Sequence, residues 1–244
     1  MKGVIDNKHA EVAPLLKENE ECWYLPLFGV YHPKKPGKIR GVFDSSAIYE
    51  GLSLNKVLLK GPDLTNSLIG VLLRFRQEHV AVTGDIEQMF YCFFVREDHR
   101  NFLRFLWYKD NDPKKNLIEY RMCKHVFGNS PSPAVATYGL RRTAEEAEVE
   151  FGSDMRDFVD RNFYVDDCLT SKRSPQEAID LMTRTQKALQ TTNIRLHKIT
   201  SNCQEVIDAF PREDLVGDLR DLDLGIDDLP TQRSLSLCWD LKPD

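Results

Sequence analysis

The chain has 244 residues, 41% of them hydrophobic, 29% charged and 10% aromatic, with 13 Gly and 12 Pro, a composition that excludes a disordered, collagenous or low-complexity protein. Its net charge of −5 argues, as an average, against a nucleic-acid partner. The average conceals an asymmetry: residues 205–230 hold nine acids against two bases, while residues 31–125 hold sixteen bases against eleven acids, so one molecule can carry both a phosphate-binding face and a solvated acidic flank.

In chain order, the first thirty residues read as a loosely ordered arm ending in an apolar strand, Trp23 to Val30. Lys34, Lys35, Pro36 and Gly37 then form a basic turn, with Lys38 and Arg40 beside it, and Ile39 to Phe43 returns as the second strand of a hairpin. Apolar positions 64, 68, 69, 72, 73 and 75 predict a helix over 63–77 with Asp63 as its cap. The run HVAVTGDI predicts a strand ending in Asp85, followed by the aromatic segment EQMFYCFFV. Residues 117–127 form another strand, broken by GNSPSP. From Ser132, a serine cap and a proline at the first helical position open a helix of about five turns.

Two β-rich runs, NFYV and CLTS, are separated by Asp166 and Asp167 alone, which predicts a tight hairpin with both carboxylates at its turn. Ser174, Pro175 and Glu177 form a capping box for a helix to Gln190. The order of strand, helix, hairpin, helix and strand is that of a split βαβ sheet, an α+β fold with helices on one face. The six cysteines show no C-x-x-C pair, and there is no secretory leader and no apolar run of membrane-spanning length; a reducing cytoplasmic location with no membrane partner is expected. The histidines show no zinc-binding spacing.

Paired aspartates in a turn are usually only a solvated turn. Here Asp85, at the end of another predicted strand, supplies a third acid that a neighbouring strand of the same sheet can bring alongside. Three converging carboxylates suit hard divalent ions such as Mg²⁺, and two such ions held about 4 Å apart stabilise both oxygens of a phosphoryl displacement. The acids must therefore meet in space.

These residues carry a resemblance. Phe163, Tyr164, Val165, Asp166 and Asp167 resemble the Y-x-D-D hairpin of reverse transcriptases, and GDIEQMF resembles their first palm motif. FGNSPSPA, IRGVFDSSA, SLNK, RLHKITSN and SLCWDLKP resemble the G-x-x-x-S-P motif, the fingers strand with its continuation, the late palm motif and the primer grip, in the family's order. The wording W-Y-L-P, V-F-D-S-S-A, V-F-G-x-x-x-S-P and K-x-x-S-N is similar to the BEL/Pao class of LTR retrotransposon polyproteins. Lys124, Cys168 and Ser236 depart from that pattern.

The resemblance implies a right-hand polymerase with fingers at 1–62 and 94–131 and palm at 63–93 and 132–244, the thumb missing. It implies an RNA-directed DNA polymerase using two Mg²⁺ ions, with Mn²⁺ as a substitute, held by Asp85, Asp166, Asp167 and the Ile86 carbonyl. Lys198 would assist the leaving group. Lys34, Lys35, Lys38, Arg40, Phe90 and Gly128 would bind the deoxynucleoside triphosphate, with Phe90 as the sugar gate. Asn55, Tyr164 and Trp239 would meet template and primer. Implied partners are an RNA or DNA template with its primer and the RNase H, integrase and protease regions of a polyprotein. The alternatives are a catalytically inactive, truncated or domesticated remnant that binds nucleic acid or protein, and another palm-type phosphotransferase such as a nucleotide cyclase.

Overall fold

The computed structural model describes residues 1–32, 35–217, 232–234 and 237–239, and side chains at 1–31 and 39–217. In chain order the elements are α1 (Lys2–Asp6), β1 (Ala10–Val12), β2 (Leu27–His32), β3 (Lys35–Phe43), α2 (Leu54–Val57), α3 (Leu68–Phe75), β4 (Val80–Ile86), β5 (Arg104–Tyr108) and β6 (Leu117–Met122). They continue with α4 (Ser132–Phe151), α5 (Ser153–Asn162), β7 (Phe163–Tyr164), β8 (Asp167–Lys172), α6 (Pro175–Gln190), β9 (Leu196–Ser201), α7 (Gln204–Asp208), β10 (Gln232–Ser234) and β11 (Leu237–Trp239). The chain divides into two compact units, one of Met1–Asp63 with Phe90–Ala136, the other of Leu64–Met89 with Thr137–Asp244.

The first unit is built on the antiparallel sheet β1-β6-β5 and on the separate hairpin β2-β3. The arm is more ordered than its sequence suggests, because β1 pairs in register with β6, Ala10 opposite Met122 and Val12 opposite Tyr120. Three residues of weak pattern become a strand because β6 offers an edge to them. Phe105, Met122 and Val126 are fully buried at the centre of this core, with Leu25, Phe43 and Leu54 around them. Across the sheet runs a charged network: Arg104 is 1% exposed, its Nη1 donates to Glu119 at 2.6 Å and its Nη2 to the Pro14 carbonyl at 2.6 Å.

The second unit holds the antiparallel sheet β7-β8-β4-β9, with α3, α5 and α6 packed on it. Helix α3 starts later than the expected residue 63. Asn66 donates to the carbonyls of Asp160 and Phe163, which holds the preceding segment extended, and Ser67 caps the helix through its bond from the Gly70 amide. Helix α4 ends at Phe151 and α5 follows from Ser153; the sequence reading missed α5. Gly152 separates the two at φ +94°, a conformation that ends helices and favours glycine. Helix α6 has the bounds and the serine cap expected of it, Ser174 accepting from the Glu177 amide. Among the described residues no helix is long and apolar enough to cross a membrane, and Cys22, Cys123, Cys168 and Cys203 are free thiols.

Candidate active site

In the second unit, β4 lies between β8 and β9, with Asp85 opposite Asp167 on one side and opposite His197 on the other. Directly opposed residues in antiparallel strands put their side chains on the same face, about 5 Å apart at Cβ. The hairpin β7-β8 turns one residue earlier than its sequence suggests: Tyr164 pairs with Asp167, so the turn is Val165–Asp166 and Asp167 opens β8. Val165 takes φ +58°, as the first central residue of a type II′ turn must. A β-branched residue there is strained, and such strain concentrates at functional sites. The Asp166 carbonyl accepts from the Ile86 amide at 2.8 Å, tying the turn to the end of β4.

The opposite face explains Gly84 and Cys168. A Cβ on Gly84 would lie 3.1 Å from Cys168 Sγ, 3.1 Å from Leu196 and 3.4 Å from Met182 of α6. A methyl here would crowd the Cys168 and Leu196 side chains, which would have to give by a few tenths of an ångström. Cys168 is wholly buried, and burial raises its thiol pKa far above the ordinary value; it is packing, and it does not share the acids' face.

Lys198 reaches that face by a bulge. The β4-β9 register shifts by one residue between Thr83, opposite Thr200, and Asp85, opposite His197, and Lys198 takes φ +50°. In a regular strand His197 and Lys198 would point to opposite faces; the inserted residue brings both to Asp85. Lys198 Nζ donates to Asp85 Oδ1 at 2.8 Å, and His197 Nε2 lies 3.0 Å from the same oxygen. His197 escaped the sequence reading. Its signal was the three-residue spacing of buried Leu196 and Ile199, which simple alternation cannot put on one face.

The charges of the three acids diverge. Burial works against ionisation of Asp85, but the hydrogen bonds from His197 and Lys198 outweigh it and hold the carboxyl below its ordinary range. Burial and the neighbouring Asp85 raise Asp166. Burial, with Asp166 and Asp85 nearby, pushes Asp167 up to about 6. Three partly buried carboxylates with oxygen donors and too little positive charge fit a hard divalent ion. They are not a closed coordination sphere as they stand: among the described residues no group of three or more His, Cys, Asp or Glu is arranged to hold a metal ion, and Asp85 is engaged by Lys198.

A pH dependence follows. Because the folded-state pKa of Asp167 lies above its unfolded value, its favourable contribution is complete below about pH 4 and is lost as pH rises through about 6. Asp167→Asn is therefore expected to stabilise the metal-free protein by on the order of 2 kcal/mol at about pH 8, after allowing for solvent screening, and to change little at about pH 4. Denaturation in chelating buffer at the two pH values checks this; an equal change at both contradicts it.

Of the other candidate residues, Arg40, Asn55, Phe90 and Gly128 belong to the first unit and Tyr164 and Trp239 to the second. Arg40 is exposed on β3, opposite Val30. The Phe90 ring stands 6.0 Å from that of Phe127, which is itself exposed. Gly128 takes φ +99°, and a Cβ there would approach the Phe43 carbonyl to 3.4 Å. Asn55 is committed within the protein: its Nδ2 donates to the Gly128 carbonyl at 2.8 Å, and its Oδ1 accepts from the Ser130 amide at 2.8 Å. It clamps the Gly128–Ser130 turn. Lys124 covers the Phe94 ring at 3.2 Å. Lys34 lies outside the described residues, as do the side chains of Lys35, Lys38 and Trp239, Ser236 and the acidic run beyond residue 217. At the primer-grip-like segment, β10 and β11 pair antiparallel, Gln232 opposite Trp239.

No protein-family model matches this sequence, and no curated protein matches it. Solved structures do match. A foamy viral protease-reverse transcriptase in complex with double-stranded DNA superposes with a TM-score of 0.58 at 16% identity, over 79% of this chain and 28% of that one. The prototype foamy virus protease-reverse transcriptase CSH mutant gives 0.57 at 16% identity, and the foamy viral enzyme in complex with an RNA/DNA hybrid gives 0.56 at 15%, each over 79% of this chain and 22% of the other. The chain thus spans about a quarter of the length of the proteins it matches. At these identities the likeness concerns the fold, which is the mixed α+β fold of reverse transcriptases.

Proposed function

We propose that this chain is the fingers and palm of an RNA-directed DNA polymerase of the BEL/Pao retrotransposon class. The reading rests on one observation above the others: Asp85 at the end of β4 faces Asp167 of β8, with Asp166 in the adjoining turn. The likeness in fold to the foamy viral proteins supports it.

In this reading Asp85 and Asp166 would hold two Mg²⁺ ions, with the Ile86 carbonyl a further oxygen ligand and Asp167 an outer partner; bound there, the ions would supply acidification of a primer 3′-hydroxyl and charge neutralisation of the leaving pyrophosphate. The chain's own groups do the rest. The forked guanidinium of Arg40 and the lysines 34, 35 and 38 grip triphosphate oxygens. Phe90 blocks a ribose 2′-hydroxyl by bulk, and Gly128 lets a base approach the backbone. Lys198 gives a proton to the departing pyrophosphate. Tyr164, Trp239 and the turn clamped by Asn55 line the template and primer.

Incorporation of deoxynucleotides into a primed RNA template should require Mg²⁺ and disappear in Asp166→Asn. Incorporation that survives Asp166→Asn contradicts the assignment of that residue. No incorporation by the parent chain, together with tight binding of a primed template, favours the non-catalytic remnant.

A further inference from the structure

We propose that Lys198 is the resident counter-ion of Asp85, and that a divalent cation enters this site only by displacing it. This deepens the two-metal reading above and rests on it. Lys198 sits at φ +50° on the bulge of β9, where glycine or asparagine is more at ease than a long side chain. The strain has a consequence: without the extra residue the ammonium would lie on the face that carries Gly84 and Leu196, and Asp85 would have His197 alone.

With the bulge, Asp85 Oδ1 receives Lys198 at 2.8 Å and His197 at 3.0 Å. Among the described residues Asp166 and Asp167 make no ion pair of this kind; Lys198 acts on them only at longer range, and burial with the neighbouring acids outweighs it. The ammonium thus gives Asp85 a direct contact with positive charge that the other two acids feel only from a distance. It is also the more removable of the two partners, its side chain 53% exposed against 14% for His197. Four methylenes on an exposed stem let it swing into water while His197 keeps the carboxylate oriented. The same oxygen cannot hold the lysine and ligate a metal ion at full strength, so metal affinity and the ion pair oppose one another.

The test uses the full 244-residue chain and Mn²⁺ alone, its free concentration read by electron paramagnetic resonance during titration. Lys198→Gly and Lys198→Asn both remove the charge while tolerating a left-handed backbone, and circular dichroism shows which of them keeps the fold. The expected result is Mn²⁺ binding about tenfold tighter than in the parent chain for the folded variant. Lys198→Arg, which keeps a cation, should stay close to the parent, and Asp85→Asn should lose the site. Equal or weaker binding in Lys198→Gly and Lys198→Asn, with Asp85→Asn still abolishing it, overturns the counter-ion role and leaves the metal site standing. No Mn²⁺ binding in any variant overturns both.

Discussion

Asp85→Asn is expected to lower Mg²⁺-dependent nucleotide incorporation by at least about a thousandfold, the scale of effect for a group that holds charge in the transition state. Asparagine has the same shape, so β4 and its register with β8 and β9 survive. What disappears is the anion on which His197 and Lys198 converge. The fold should therefore persist in circular dichroism while stability near neutral pH falls. That loss has a definite sign. The folded-state pKa of Asp85 is depressed, so its contribution is present above the unfolded value and vanishes as pH falls through the folded one. The variant and the parent should converge in stability in strong acid. Primer extension with more than a tenth of parental activity would show that Asp85 does not carry the metal chemistry.

The second large effect is on stability and lies in the first unit. Arg104→Met is expected to cost about 3 kcal/mol. Methionine matches much of the aliphatic volume, but the Pro14 carbonyl and the Asn101 side chain lose the donors they now have at 2.6 Å and 3.1 Å. Glu119 is 45% exposed and rehydrates, which keeps the cost below that of a fully buried broken pair. Arg104→Lys should lose nearly as much, because the three N–H bonds of an ammonium leave a single nitrogen and cannot span acceptors now served by Nε, Nη1 and Nη2. Urea unfolding followed by two probes, one in each unit, checks this, since a chain of two units need not unfold in a single step. A loss under about 1 kcal/mol would mean that water replaces the network at no cost.

Much of the fold was legible because local rules and packing agree. The Ser174 box, the Pro175 start and the apolar period of α6 all demand one helix. The run from His79 to Ile86 is apolar enough for a strand buried in the middle of a sheet, and Val82 and Ile86 are buried there. Where local and tertiary forces differ, the reading slipped. Asp63 is a good cap by residue type, yet Asn66 holds the chain extended past it. The weak β1 segment forms because β6 has an unpaired edge. The D-D pair straddles the end of the turn because Val165 accepts strain that propensity alone would assign elsewhere.

By itself the sequence determined that Asp85 ends a strand and that Asp166 and Asp167 sit at a hairpin; the pairing of β4 with β8 then sets Asp85 opposite Asp167. Only the tertiary structure decided that these strands are neighbours and which cations join the acids. A one-residue register shift between β4 and β9 turns Lys198 to the face it would otherwise avoid and sets His197 beside it. Such a shift depends on pairing between segments more than 100 residues apart, as the Asp85–His197 and Asp85–Lys198 contacts are, and no local preference of the chain encodes it.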